Sequence, residues 1–192
     1  EIDLMRPASQ ELQVYITFTP KTNLIRFSLP IWTPGSYKVR DHSQFLYGLE
    51  AKQLNKQLSL TRYDNNTWGI SLETLEKVSI NYIIEARQLT VRTCYLDPDM
   101  ASLCLSAAIV DIEGYRNSKY KLKVNTLDNW RVYIPLVENN KIYESCNYDD
   151  LVDAPLTAGD FVSYQFYVEK KLHNIILIGN TPNLSITKFV ED

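Results

Sequence analysis

The residues able to do chemistry are few and scattered. Only two histidines are present, His42 and His173, in distant parts of the chain. No HExxH occurs, so no pair of imidazoles sits one helical turn apart to grip zinc beside a glutamate base. A zinc site needs three or four converging donors, and each histidine therefore reads as a surface or packing residue. The three cysteines, Cys94, Cys104 and Cys146, are an odd set with no close pair. Such a set suits reduced thiols better than a disulfide framework, with one bridge plus one free thiol as the other arrangement. Reduced thiols point to a cytoplasmic location. No nucleophile elbow surrounds a serine, and the six glycines form no phosphate-cradling loop. The segment alone does not read as an enzyme.

Two stretches are richer. In NYDDLVDAP, residues 147–155, Asp149, Asp150 and Asp153 carry the oxygen donors calcium prefers, but the EF-hand order of ligands is missing. A single capped helical turn stopped by Pro155, with an Asp at its start, explains the same residues. The second stretch, LPIWTPGSYKVRDHS, places Pro34 and Gly35 where a type II turn needs a fixed φ and then a positive one. Pro30 cannot donate to a sheet ladder, so the strand before it ends there or lies on an edge. After the turn Tyr37 and Val39 alternate with Lys38 and Arg40, resuming an extended chain. One reading is a strand crossover, with Trp32 plugging the core and Arg40 or Asp41 tying the loop by an ion pair. The other is a Trp-Tyr platform for a sugar or peptide.

The elements that must position these residues are strands. Leu12, Val14, Ile16 and Phe18 alternate with polar neighbours or tyrosine, as in a half-buried strand. The same period runs through Ile25–Leu29, Val78–Ala86, Tyr120–Val124 and Val162–Val168. Turn residues punctuate the runs at Pro20–Asn23, Asn55–Gln57, Asp64–Asn66, Leu127–Asn129 and Glu138–Asn140. Helical signal is confined to short turns at Asp97–Leu103 and Asp149–Val152. The expected fold is all-β: an antiparallel sandwich or a twisted, saddle-like sheet with one or two short helical turns. No repeat or linker divides the chain, so residues 1–192 are read as one β-rich domain.

Composition closes other classes. A net charge of −3 and a pI near 5.5 argue against nucleic-acid binding. The longest apolar run, Ile175–Ile178, falls far short of the ~18 residues of a membrane span. EIDLMRPASQ lacks the basic start and apolar middle of a signal peptide and has no initiator methionine, so a trimmed front is expected.

Four blocks then occur in one order and spacing: LPIWTPGSYKVRDHS (29–43), LTVRTCYLD (89–97), DIEG (111–114) and YDDLVDAP (148–155). Weaker echoes follow at Gly159-Asp160-Phe161 and Leu172-His173. Together they resemble the N-terminal domain of metallopeptidase family sixty-one, the glycyl aminopeptidases. The resemblance implies an N-terminal β-domain like that of other zinc aminopeptidases. A zinc-binding HExxH catalytic domain is expected after residue 192, and no cofactor in this segment. Its partners would be that catalytic domain and a peptide substrate. Closing one end of the cleft, such a domain supplies a polar or acidic group for the substrate's free amine, since a buried ammonium without a partner is expensive. Cys104-Leu105-Ser106 stands where the family usually has Asn-Gly-Ala, and Thr157 where it often has glutamate. Asp153, Thr157 and Ser106 are thus cleft candidates, beside the plainer reading that they shape loops. Trp32, Pro34, Gly35, Tyr37, Arg40 and Asp41 read as a structural signature. The alternative is a stand-alone carbohydrate- or protein-binding sandwich, which calls for exposed, coplanar aromatics on one face.

Overall fold

A computed structural model of the chain describes residues 1–32 and 38–178. The largest sheet has eight strands, in the order Val137–Asn139, Ile142–Ser145, Tyr120–Asn125, Ile2–Asp3, Glu11–Phe18, Val78–Glu85, Leu46–Gln53 and Lys56–Gln57. Its pairings are antiparallel except that of Ile2–Asp3 with Tyr120–Asn125. A second sheet runs Arg131–Tyr133, Leu156–Gly159, Met100–Leu103, Cys94–Leu96. A third runs Asp111–Ile112, Leu24–Ser28, Thr67–Ser71, Leu60–Arg62. A hairpin of Val162–Val168 with Lys171–Leu177 forms a sheet of its own. The one α-helix among the described residues is Tyr148–Asp153, accompanied by short 3-10 turns. The all-β class expected from the alternation is what the chain adopts, as several antiparallel sheets.

Alternation decides which side chains go inside. Along Val78–Glu85 every second residue is buried: Val78, Ile80, Tyr82 and Ile84. Leu12 and Val14 from the neighbouring strand join them, and Ile25, Phe27, Trp68 and Ile70 bring the third sheet into the same core. Burying a residue such as Ile80 fully contributes roughly 1.5–3 kcal/mol against leaving it in water. The segment 105–110 is buried along its whole length, so its backbone polar groups need partners away from water. Two tyrosines supply them. The Tyr82 hydroxyl donates to the Ala108 carbonyl at 2.8 Å and accepts from the Val110 N–H at 3.2 Å. The Tyr148 hydroxyl donates to the Ile109 carbonyl at 2.6 Å.

Several local expectations need correction. Asp97–Leu103 is a hairpin turn and a strand: Asp97 Oδ1 accepts from the amides of Asp99 and Met100, as a helix cap would. The chain then returns as a strand because Ala101 and Leu103 bury against two neighbouring strands, and tertiary pairing outweighs the cap. In the helix Tyr148–Asp153 the cap is Asn147, whose Oδ1 accepts from the Asp150 amide at 2.8 Å; Asp149 and Asp150 occupy the first turn. There their charge complements the helix dipole. Two tight turns fall at Leu54-Asn55 and Asn140-Lys141, displaced by a residue from the expected Asn55–Gln57 and Glu138–Asn140. Both pairs adopt positive φ, the geometry that matches the twist of a two-residue hairpin. Val162–Val168 is a strand, yet not half-buried: Val162, Tyr164, Tyr167 and Val168 are all exposed.

Candidate functional site

The exit of the Leu24–Ser28 strand, the first residues of Asp111–Ile112 and Thr67–Ser71, the turn Leu105–Ala107 and the helix Tyr148–Asp153 surround a cleft of about 740 Å³. Register brings the sheet contributors together, because Ser28 pairs with Asp111 on one side and Thr67 on the other. The Leu29 amide donates to the Asn66 carbonyl at 3.0 Å and carries Leu29–Trp32 along the cleft wall.

Charge at the cleft is organised by Arg116. Its guanidinium bridges the carboxylates of Asp111 and Asp149 and lies 5.4 Å from the centre of the Tyr148 ring. Asp111 is the more enclosed of the two acids. Burial raises its pKa above the usual carboxylate range, against the pull of Arg116, and Asp149 adds to the rise. Of the buried side-chain oxygens without a hydrogen-bond partner among the described residues, Asp111 Oδ1 and Asn66 Oδ1 belong to the cleft lining, whereas Tyr133 Oη lies elsewhere. A buried acceptor left unpaired costs about 1–3 kcal/mol, so the cleft is arranged to receive donors.

Of the residues singled out in the sequence, Ser106 and Asp153 lie on this cleft, and Thr157 does not. Ser106 is buried, with its hydroxyl 3.2 Å from Cys104 Sγ. Asp153 is exposed at the end of the helix. Thr157 sits half-buried mid-sheet, opposite Ser102 and Tyr133. Trp32 does not plug the core: it is 54% exposed and stands on the cleft rim, because Leu29 already fills the buried position at that strand's exit. Among the described residues neither Arg40 nor Asp41 forms an ion pair across the loop. Its base is closed by the Arg40 amide donating to the Ile31 carbonyl at 2.7 Å, while Asp41 accepts from the Ser43 hydroxyl and, through its carbonyl, from the Gln44 side chain. Pro34, Gly35 and Tyr37, with the expected type II turn, fall outside the described residues. Val39 and Arg40, expected in an extended run, lie in no strand, and Val39 is 66% exposed.

His42 is a packing histidine: buried, with its pKa lowered by burial and then by the nearby Arg40 charge. His173 is exposed and stacks on Phe166. The three cysteines are free thiols, and burial pushes Cys94 up to about 12. Among the described residues no group of three or more His, Cys, Asp or Glu side chains is placed to hold a metal.

Sequence reasoning singled out neither Arg116 nor Asn66, since an arginine in a loop and an asparagine in a turn are unremarkable alone. Asp111 and Tyr148 were visible only inside the blocks DIEG and YDDLVDAP. Those two blocks and the start of LPIWTPGSYKVRDHS converge on the cleft. The end of that first block, Arg40–His42, with Gln44 and Phe45 just after it, meets Thr90–Thr93 of LTVRTCYLD around a second cavity of about 270 Å³. Parts of these blocks thus lie where separate sheets and loops are joined.

The model of the peptidase M61 N-terminal domain matches residues 1–160, and the chain belongs to that family. Its fold is similar to that of an aminopeptidase N family protein from Idiomarina loihiensis, with a TM-score of 0.91 and 23% identity. That match covers 99% of this chain and 34% of the other, so the chain spans about a third of its neighbour's length. An M1 zinc metallopeptidase from Deinococcus radiodurans, a mutant bound to a Tyr-Ser-Ala substrate, is more distant: TM-score 0.54, 8% identity, 90% of this chain and 44% of that one. At such identities the likeness is one of fold. No curated protein matches the chain.

Proposed function

We propose that this chain is the non-catalytic N-terminal β-domain of a zinc-dependent aminopeptidase, docked on a following catalytic domain that carries HExxH. Zinc and the peptide-bond chemistry would belong to that domain, which would hold the metal for Lewis-acid catalysis. The contribution of this chain is shape and recognition. The cleft beneath Trp32 closes the amino-terminal end of the substrate channel, with Asp153 and Ser106 in its wall and Thr157 on the adjoining strand.

The observation that carries the reading is the pair of unpartnered acceptors, Asp111 Oδ1 and Asn66 Oδ1, in a cleft whose nearest cation, Arg116, is already shared between two carboxylates. An ammonium is the group such oxygens recognise, and it needs them once water is excluded. The exposed apolar residues of the Val162–Leu177 hairpin give the catalytic domain a surface to cover. The stand-alone binding-module reading has less support. Trp68 and Trp130 are buried, leaving Trp32 as the only exposed tryptophan.

The test uses the whole parent enzyme. Asn66→Leu and Asp111→Asn are expected to raise KM for peptides with a free amino terminus about tenfold or more, the worth of one charged hydrogen bond. Binding of N-acetylated peptides should stay unchanged. Equal effects on free and acetylated peptides contradict the assignment.

A further inference from the structure

Two loops leave the same end of the largest sheet side by side. Leu46 pairs with Ile84, so the 3-10 turn His42–Phe45 that enters one strand lies beside the exit of the other. That exit continues through Gln88–Thr93 to the strand Cys94–Leu96, and the bridge of Arg87 with Tyr95 closes its base. The cavity of about 270 Å³ sits between the two loops, and its lining holds two guanidiniums, Arg40 and Arg92. Among the described residues neither arginine forms an ion pair. Arg40 Nε is buried and has no hydrogen-bond partner. A buried donor on a charged group is costly to leave unpaired, so an acceptor belongs opposite it. Asp41 does not supply one: its Oδ1 accepts from the Ser43 hydroxyl at 2.8 Å. The threonines of the other loop are spent on the loop itself. The Thr93 hydroxyl donates to the Gln88 carbonyl at 2.6 Å, and the Thr90 hydroxyl accepts from the Arg92 amide at 3.1 Å. These bonds hold the loop in shape, and none uses the Arg92 guanidinium.

We infer that this cavity binds a small oxyanion, a phosphate or carboxylate group held between Arg40 and Arg92. A guanidinium presents paired N–H donors in a rigid fork that matches two oxygens of such a group. The balance of charge has the right sign. Two guanidiniums line the cavity against the single carboxylate of Asp41, in a chain whose net charge is −3. His42 adds no charge at neutral pH, since burial and then Arg40 hold its pKa below the ordinary 6.5. Val91 and Arg92 are exposed, so the cavity opens to solvent, while Arg40 carries its buried donor on the inner side. No residue of this cavity lines the cleft around Asp111 and Asn66, and the inference stands apart from the function proposed for that cleft.

The test titrates the 192-residue chain with sodium phosphate and, separately, with sodium acetate, each against sodium chloride at matched ionic strength. The side-chain Nε–H resonances of Arg40 and Arg92 are expected to move along saturable curves with an oxyanion and not with chloride. Arg92→Gln should raise the half-saturating concentration about tenfold or more, the worth of one charge-assisted hydrogen bond. Arg131→Gln removes the same charge at an exposed position outside the cavity and should leave binding unchanged. Arg40→Lys keeps the charge but loses the buried Nε donor and the fork, and should weaken binding as much as Arg92→Gln. Saturation by phosphate, by acetate or by both supports the inference and names the group preferred. Shifts no different from those with chloride, or equal half-saturation in Arg92→Gln and Arg131→Gln, overturn it.

Discussion

Val78–Glu85 and Val162–Val168 carry the same alternation of apolar and polar residues and end in opposite surroundings. The first lies between two long strands, and its inward row, Val78, Ile80, Tyr82 and Ile84, is at most 2% exposed. The second pairs with Lys171–Leu177 alone among the described residues, and apolar side chains emerge on both faces of that hairpin. Val162, Tyr164, Ile175 and Leu177 share one face, and Tyr167, Leu172 and Ile176 share the other. Periodicity reports that a segment is extended; burial needs a second layer, which a strand's own sequence does not supply. A two-stranded hairpin is marginal in water without further strands or a covering element. The family match also ends at residue 160, just before this hairpin.

The contrast breaks most readily by truncation. Ile80→Ala is expected to cost ~2–5 kcal/mol in urea unfolding of the chain, since it opens a cavity in the shared core. Val162→Ala should change stability by less than ~0.5 kcal/mol, as at exposed positions. Similar costs at both sites would erase the distinction. A finer probe is Tyr82→Phe. It strips the partners from a buried carbonyl and a buried amide and should cost ~1–3 kcal/mol. Tyr120→Phe, whose hydroxyl makes only a 3.3 Å bond to the Tyr115 carbonyl, serves as the near-neutral control. Next comes Asn147→Ala, expected to cost ~1 kcal/mol through loss of the helix cap, with the far-ultraviolet spectrum otherwise kept.

The smallest effect is one of pH. Cys94 titrates near 12 in the folded protein and near its ordinary 9.0 when unfolded, so its contribution is complete below pH 9 and declines as pH rises toward 12. The part lost by about pH 9.5 is under ~1 kcal/mol. Denaturation midpoints of the wild type and Cys94→Ala, compared from pH 8 to about 10, should converge. His42 acts at the acid end. Its folded pKa is depressed, so its share of stability is present above the ordinary 6.5 and falls away as pH drops below it.

The strand pattern was legible because it is local: Leu12–Phe18, Val78–Ala86 and Tyr120–Val124 each show their period in their own residues. Asp97 shows where locality fails. A carboxylate accepting amides two and three positions on looks the same before a helix and inside a hairpin, and only the pairing of Met100–Leu103 with its neighbours decides. Trp32 is a second case, since the buried place went to Leu29, which no composition rule foretells. The cleft was legible in fragments. Ser106, Asp153 and the recurrent blocks pointed toward it, while Asn66 and Arg116 entered it only through sheet register and loop closure.

The proposed docking of this domain on a second one is tested most directly by hydrogen exchange of the Val162–Leu177 amides in the 192-residue chain and in its parent. Docking predicts that these amides exchange about 100-fold or more slowly in the parent, while those of Val78–Glu85 are unchanged. Equally fast exchange of the hairpin in both proteins would contradict docking at this surface.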